Sequence, residues 1–203
     1  MKVAEALGAL EAREARLLLA AATGFSEASV LAHPERELPA AAAARFREYA
    51  ARRARGEPIA YILGTKEFYG LPLAVSPAVL IPRPETELLV ELALARKPAS
   101  ALDLGTGSGA IALALKRHLP AARVVAVERS AAALAVAQRN ALRLGLEVEF
   151  RHGLWFAPVA GERFDLVLSN PPYVAVGDPH LSQGDLRFEP ESALTAGPEG
   201  LDA

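Results

Sequence analysis

Ala101-Leu102-Asp103-Leu104-Gly105-Thr106-Gly107-Ser108-Gly109-Ala110 runs from an apolar strand through a glycine-rich turn into the start of a helix. The same alternation continues on its C-terminal side. Strand candidates are Ala101–Leu104, Val124–Val127, Val148–Phe150 and Phe164–Leu168, and helices are predicted over Ala110–His118 and Ala131–Leu144. Short, nearly all-apolar strands alternating with helices predict an α/β fold with a parallel, doubly wound sheet. No internal repeat is present.

The segments N-terminal to this sheet read differently. Leu7, Leu10, Leu17 and Leu18 recur at helical spacing among charges, and the run ends at Gly24. Ser26 can cap a second helix, and a third is predicted from Pro39 to Arg55 with Gly56 as its stop. Residues 1–56 are therefore expected to form a small helical bundle. Pro58, Gly64, Gly70, Pro72, Pro77 and Pro82 punctuate the β-prone pieces Tyr61–Leu63, Phe68–Tyr69 and Leu73–Val75. Residues 57–83 are accordingly expected to be a hairpin connector. Pro84 suits the first position of a helix reaching Lys97, and residues 84–203 would then form the α/β domain.

Composition narrows the classes of function. The 203 residues are 52% hydrophobic and 23% charged, which describes a folded chain rather than a disordered one. Lys and Arg total 22 against 24 acidic residues, so the net charge of −2 lacks the general pull toward phosphate backbones of a dedicated nucleic-acid binder. Cysteine is absent, which removes disulfides, thiolate metal sites and cysteine nucleophiles, and suits a reducing cytoplasm. The four histidines have no ligand-like spacing, so no metal site is expected. Charges at Glu5, Glu11, Arg13, Glu14 and Arg16 interrupt any leader-like apolar run, and no stretch is long enough to span a membrane. Asparagine occurs only at Asn140 and Asn170.

The chemistry is expected at the carboxyl ends of the strands. Glycines at Gly105, Gly107 and Gly109 let the backbone approach a ligand, and the helix start offers N–H groups to an anion. Glu128 ends the second strand, where a carboxylate can accept both hydroxyls of a ribose. These features point to a ribose-bearing cofactor without naming it, because Gly105-x-Gly107-x-x-Ala110 also satisfies a permissive nicotinamide fingerprint. Ser169-Asn170-Pro171-Pro172-Tyr173 is more specific. An Asn carbonyl and a proline carbonyl side by side can accept both hydrogens of a planar –NH2 group, and Tyr173 supplies an aromatic face.

Asn170–Tyr173 together with Gly105–Gly109 resembles the S-adenosylmethionine-dependent amino-group methyltransferases. Tyr61-Ile62-Leu63-Gly64, Ile81-Pro82-Arg83-Pro84-Glu85-Thr86-Glu87 and Arg187-Phe188-Glu189-Pro190 narrow the resemblance to the HemK/PrmC family. It implies a Rossmann-like methyltransferase domain that methylates the glutamine amide of the Gly-Gly-Gln motif in class 1 peptide chain release factors. It also implies roles. Gly105, Thr106, Gly107, Ser108 and Gly109 would cradle the methionine part of S-adenosyl-L-methionine, Glu128 its ribose, and Trp155 its adenine. Asn170 and Pro171 would hold the substrate amide, beside the cofactor, with Pro172 and Tyr173 completing the pocket. The helical N-terminus would bind the substrate protein, in the cytoplasm and without direct DNA contact.

Two departures from the family accompany this resemblance. Gly153 is followed by Leu154 where the family usually carries an acidic residue, and further family strands beyond Asp202 are missing, so the sheet is expected to be C-terminally truncated. Two other readings stay open: an adenine-specific DNA methyltransferase using the same clamp, and a non-catalytic fragment that binds cofactor or release factor.

Overall fold

The computed structural model describes residues 1–202, and the chain divides into two compact units with the boundary between Leu63 and Gly64. The first unit holds α1 (Val3–Leu7), α2 (Ala12–Thr23), α3 (Glu27–Ala32), α4 (Ala40–Ala54) and α5 (Ile59–Leu63). The single N-terminal helix expected up to Gly24 is two. Gly8 closes α1 by donating its N–H to Ala4 O, and the Glu11 carboxylate starts α2 by accepting the N–H groups of Arg13 and Glu14. Ser26 caps α3 as predicted, accepting from Ser29 N. Val3, Leu18, Leu19, Val30, Phe46 and Ile62 make the core. Tyr61–Leu63, expected as a strand, is helical: the Pro58 carbonyl accepts the N–H groups of both Tyr61 and Ile62, and burial of Ile62 in this core outweighs the β preference of the residues.

The second unit opens with a two-stranded antiparallel hairpin, β1 (Thr65–Phe68) and β2 (Leu71–Ala74), followed by α6 (Glu87–Arg96). Next come β3 (Ser100–Leu104), α7 (Ala110–His118), β4 (Arg123–Glu128), α8 (Ala131–Leu144), β5 (Glu149–His152) and β6 (Leu166–Ser169). The four later strands form one parallel sheet in the order β5-β4-β3-β6. β3 and β4 are buried on both faces, which is why they read as unbroken apolar runs. Alternation splits their side chains. Ala101, Val124 and Ala126 join the core with α7, while Leu102, Leu104, Val125 and Val127 pack with Val159 on the other face. Every residue of α7 from Ala110 to Leu115 is buried, so this helix is enclosed on all sides and carries its charges only in the last turn, at Lys116, Arg117 and His118.

Among the described residues β6 pairs only with β3, at one edge of the four-stranded sheet, with Val167 46% exposed. The chain moves outward from β3 to β4 and β5, then returns to place β6 on the other side of β3. That reversal makes a crevice at the carboxyl ends of β3 and β6. Among the described residues, no helix is long and apolar enough to cross a membrane.

Candidate functional site

A cavity of about 380 Å³ occupies that crevice, a size suited to a small-molecule ligand. Gly105, Thr106, Gly107 and Ser108 form one wall, Glu128 and Trp155 another, and Asn170, Pro171 and Pro172 a third. The loop keeps Gly105 and Gly107 at positive φ (73° and 58°), and a Cβ added to either would meet no other atom. The backbone there is bare, with room for a ligand to lie against it. Gly109 differs. A Cβ on it would come within 2.9 Å of Leu113 Cδ1 and 3.3 Å of Ala137 Cβ, so this glycine lets α7 and α8 pack and does not line the cavity.

The loop's hydrogen bonds amend the expectation of free N–H groups for an anion. Glu128, nearly enclosed, accepts from Gly107 N and Ser130 N, both at 2.9 Å, one with each carboxylate oxygen. Beneath the loop, Asp103 Oδ2 accepts the Thr106 hydroxyl at 2.6 Å and Ala112 N at 3.2 Å. Asp103 Oδ1 is buried with no partner. Burial pushes the Asp103 carboxyl up to about 6, opposed by the Thr106 and Ala112 hydrogen bonds and assisted slightly by the charge of Glu128. Two carboxylates therefore already hold donors of the loop and of the first turn of α7.

Each Glu128 oxygen accepts one N–H and can accept another hydrogen, the bare glycines provide a cradle, and Trp155 adds an aromatic side chain to the lining. Trp155 sits at φ 49°, a left-handed conformation unusual for a bulky residue, and its ring packs partly against the Leu102–Val159 cluster. This donor set fits a ligand with ribose hydroxyls and an aromatic base. Leu154 lines the same cavity with its side chain about half exposed.

At the end of β6, the Ser169 hydroxyl donates to Leu104 O at 2.9 Å, fixing β6 to the strand that feeds the glycine loop. Asn170 follows directly and donates through Nδ2 to Thr86 Oγ1 at 3.2 Å. Pro171 and Pro172 line the cavity, but Tyr173 does not. It is 72% exposed, and its backbone N–H donates to Leu194 O. Of the residues expected in the pocket, the structure thus brings together Gly105–Ser108, Glu128, Trp155, Asn170, Pro171 and Pro172, and leaves Gly109 and Tyr173 outside its lining.

Several residues that frame the cavity were not marked by sequence reasoning. Glu189 is fully buried and accepts Ile81 N at 2.9 Å and Arg83 Nη2 at 2.5 Å, tying the loop after β6 to the loop before α6. Asn140, buried within α8, accepts Ala74 N at 2.7 Å and donates to Ala74 O at 3.0 Å and to Ser108 O at 2.9 Å. The signals were present in part: Glu189 and Arg83 belong to the two family-like segments, and Asn140 is one of two asparagines.

Residues 3–64 match a family model described as the PrmC N-terminal domain, and residues 84–184 match the methyltransferase small domain. The release factor glutamine methyltransferase of Xylella fastidiosa is 51% identical over 99% of this chain and 75% of its own length. The same-named proteins of Burkholderia pseudomallei and Escherichia coli are 52% and 46% identical, over 96% and 97% of this chain and 72% and 74% of theirs. The chain belongs to the release factor glutamine methyltransferase family. Within the solved structures, a Thermus thermophilus 16S rRNA N2 G1207 methyltransferase is similar at 28% identity and a TM-score of 0.48, over 56% of this chain and 33% of that one. The family assignment agrees with the resemblance carried by Asn170–Tyr173 and the glycine loop.

Proposed function

We propose that this chain uses S-adenosyl-L-methionine to methylate the side-chain amide nitrogen of a release factor glutamine, the Gly-Gly-Gln glutamine of class 1 factors. The observation that carries the reading is the position of Asn170 and Pro171: they stand on the wall of the cavity whose other walls are the bare glycine loop and Glu128. A donor-rich –NH2 group and a ribose-bearing cofactor would both find their acceptors there.

When bound, the cofactor supplies a methyl group activated by its sulfonium, with the neutral thioether as leaving group. The residues of the chain do the rest. An amide nitrogen is a weak nucleophile because its lone pair is delocalised into the carbonyl. Asn170 Oδ1 and the Pro171 carbonyl would each accept one N–H of that amide, favouring a pyramidal nitrogen and stabilising the positive charge that develops on it. Holding the nitrogen in line contributes on the order of 7–11 kcal/mol in well-oriented systems. No strong base is required, since the extra proton leaves readily once the nitrogen is alkylated. Gly105–Ser108 would lie against the methionine portion, Glu128 would accept the ribose hydroxyls, and Trp155 would flank the adenine. The helical first unit is assigned to holding the release factor, and the reaction to the cytoplasm, away from membranes and DNA.

Intact-peptide mass spectrometry of a release factor incubated with this chain and S-adenosyl-L-methionine tests the reading. One added methyl on the Gly-Gly-Gln glutamine, absent with Asn170→Ala, is the expected result. No added methyl on the peptide would overturn it for residues 1–203.

A further inference from the structure

Thr86 stands at the position preceding α6, where a threonine hydroxyl commonly accepts a backbone N–H two or three residues on. Here it makes no such bond. A 3-10 turn over Pro84–Thr86 leads straight into α6 and gives Thr86 helical backbone angles (φ −70°, ψ −17°), whereas capping calls for an extended residue. The hydroxyl oxygen is used elsewhere: it accepts Nδ2 of Asn170 at 3.2 Å, from a residue that lies 84 positions on. Among the described residues, no other group bonds the Asn170 side chain, and both residues line the cavity.

A carboxamide has a donor end and an acceptor end of nearly equal shape, and which end faces the substrate decides what it can hold. Facing an –NH2 group with Nδ2 would oppose donors to donors. We propose that Thr86 is a positioning residue that holds the Asn170 amide: in the observed pairing it accepts Nδ2, which leaves Oδ1 as the group presented to the substrate's –NH2. The same bond draws electron density toward Oδ1 and strengthens it as an acceptor. The inference rests on the methyltransferase reading above for its function, but the contact itself is testable without turnover.

The chain contains two asparagines, so 15N-asparagine labelling gives two side-chain –NH2 signal pairs, and Asn170→Asp identifies one by its loss. Thr86→Val removes the acceptor at nearly constant shape, and Thr86→Ser keeps it. In Thr86→Val the Asn170 pair is expected to shift and its hydrogens to exchange several-fold faster, while the Asn140 pair stays in place and Thr86→Ser resembles the parent. In methyl transfer to a release factor, kcat of Thr86→Val should fall about tenfold with KM for S-adenosyl-L-methionine unchanged, and Thr86→Ser should restore it. The Asn140 pair also reports folding; if Thr86→Val does not fold, Thr86→Ala removes the same oxygen without new bulk and carries the test. An Asn170 pair that does not move overturns the contact. A moved pair with kcat within twofold of an active parent overturns the role. A parent that transfers no methyl overturns the function reading alone, with the signal pairs still deciding the contact.

Discussion

Asn140 Nδ2 donates to the Ser108 carbonyl at 2.9 Å, so a fully buried amide on α8 holds the backbone of the glycine loop from behind. The same side chain pairs with both backbone groups of Ala74 on the hairpin strand β2. One residue thus fixes two segments that local propensity would leave loose. Asn140→Ala would leave three backbone groups without their partner, and the expected loss of unfolding free energy is about 2–4 kcal/mol. Urea denaturation checks the loss. Binding calorimetry should show weakened affinity for S-adenosyl-L-methionine in the same variant, because Ser108 lines the site.

Glu189 and Arg83 supply the second prediction. The carboxylate is fully enclosed and the guanidinium is 32% exposed, so removing the acid leaves a charge that still reaches water. Glu189→Ala is expected to destabilise by about 3 kcal/mol, the lower end for a broken buried pair. Glu189→Gln keeps an acceptor for Ile81 N and should lose less. Equal losses for the two variants would assign the effect to the lost carboxylate charge opposite Arg83 rather than to volume or to the Ile81 hydrogen bond.

Asp103 predicts a pH dependence. Its folded pKa of about 6 lies above the ordinary 3.8, so the native state binds this proton more tightly than the unfolded one. The stability it contributes is full below pH 3.8 and is lost as pH rises through 6, a span of about 3 kcal/mol. Asp103→Asn cannot ionise and removes that slope. The difference in unfolding free energy between parent and variant should therefore move in the variant's favour between pH 4 and pH 7. A difference that stays flat across this range would refute the assignment.

For the reaction itself, Asn170→Ala is expected to lower turnover about 100-fold, in line with removal of one preorganised group at a developing charge, while the dissociation constant of S-adenosyl-L-methionine changes little. Comparable losses in both would make Asn170 chiefly a cofactor contact.

How much of this was legible in the sequence depended on how local the cause was. β3, β4 and their loops were readable because the apolar runs and the glycines each act within a few residues. Tyr61–Leu63 misled because its helical state comes from burial of Ile62 rather than from propensity. Gly109 read as a ligand glycine, yet the atoms that require it belong to Leu113 and Ala137 on two helices. Tyr173 read as a pocket residue because it adjoins Pro172, yet its side chain is exposed while its backbone pairs with Leu194. The clasps at Asn140 and Glu189 join residues 66 and 106 positions from their partners, and no spacing rule reaches that far.

Glu128 and Asp103 also bear on what the proposed cofactor site would turn away. S-adenosyl-L-methionine shares its adenosine with ATP and NAD, nucleotides abundant in any cell, and the glycine loop by itself matches a pyrophosphate-binding pattern. With a carboxylate on Gly107 N and another on Ala112 N, a phosphate laid against this turn would meet two negative charges. A cofactor with a cationic sulfonium, a single carboxylate and no phosphate would meet far less of that opposition. Two acidic side chains beneath a glycine turn would thereby favour a cationic, phosphate-free adenosine compound over ATP and NAD.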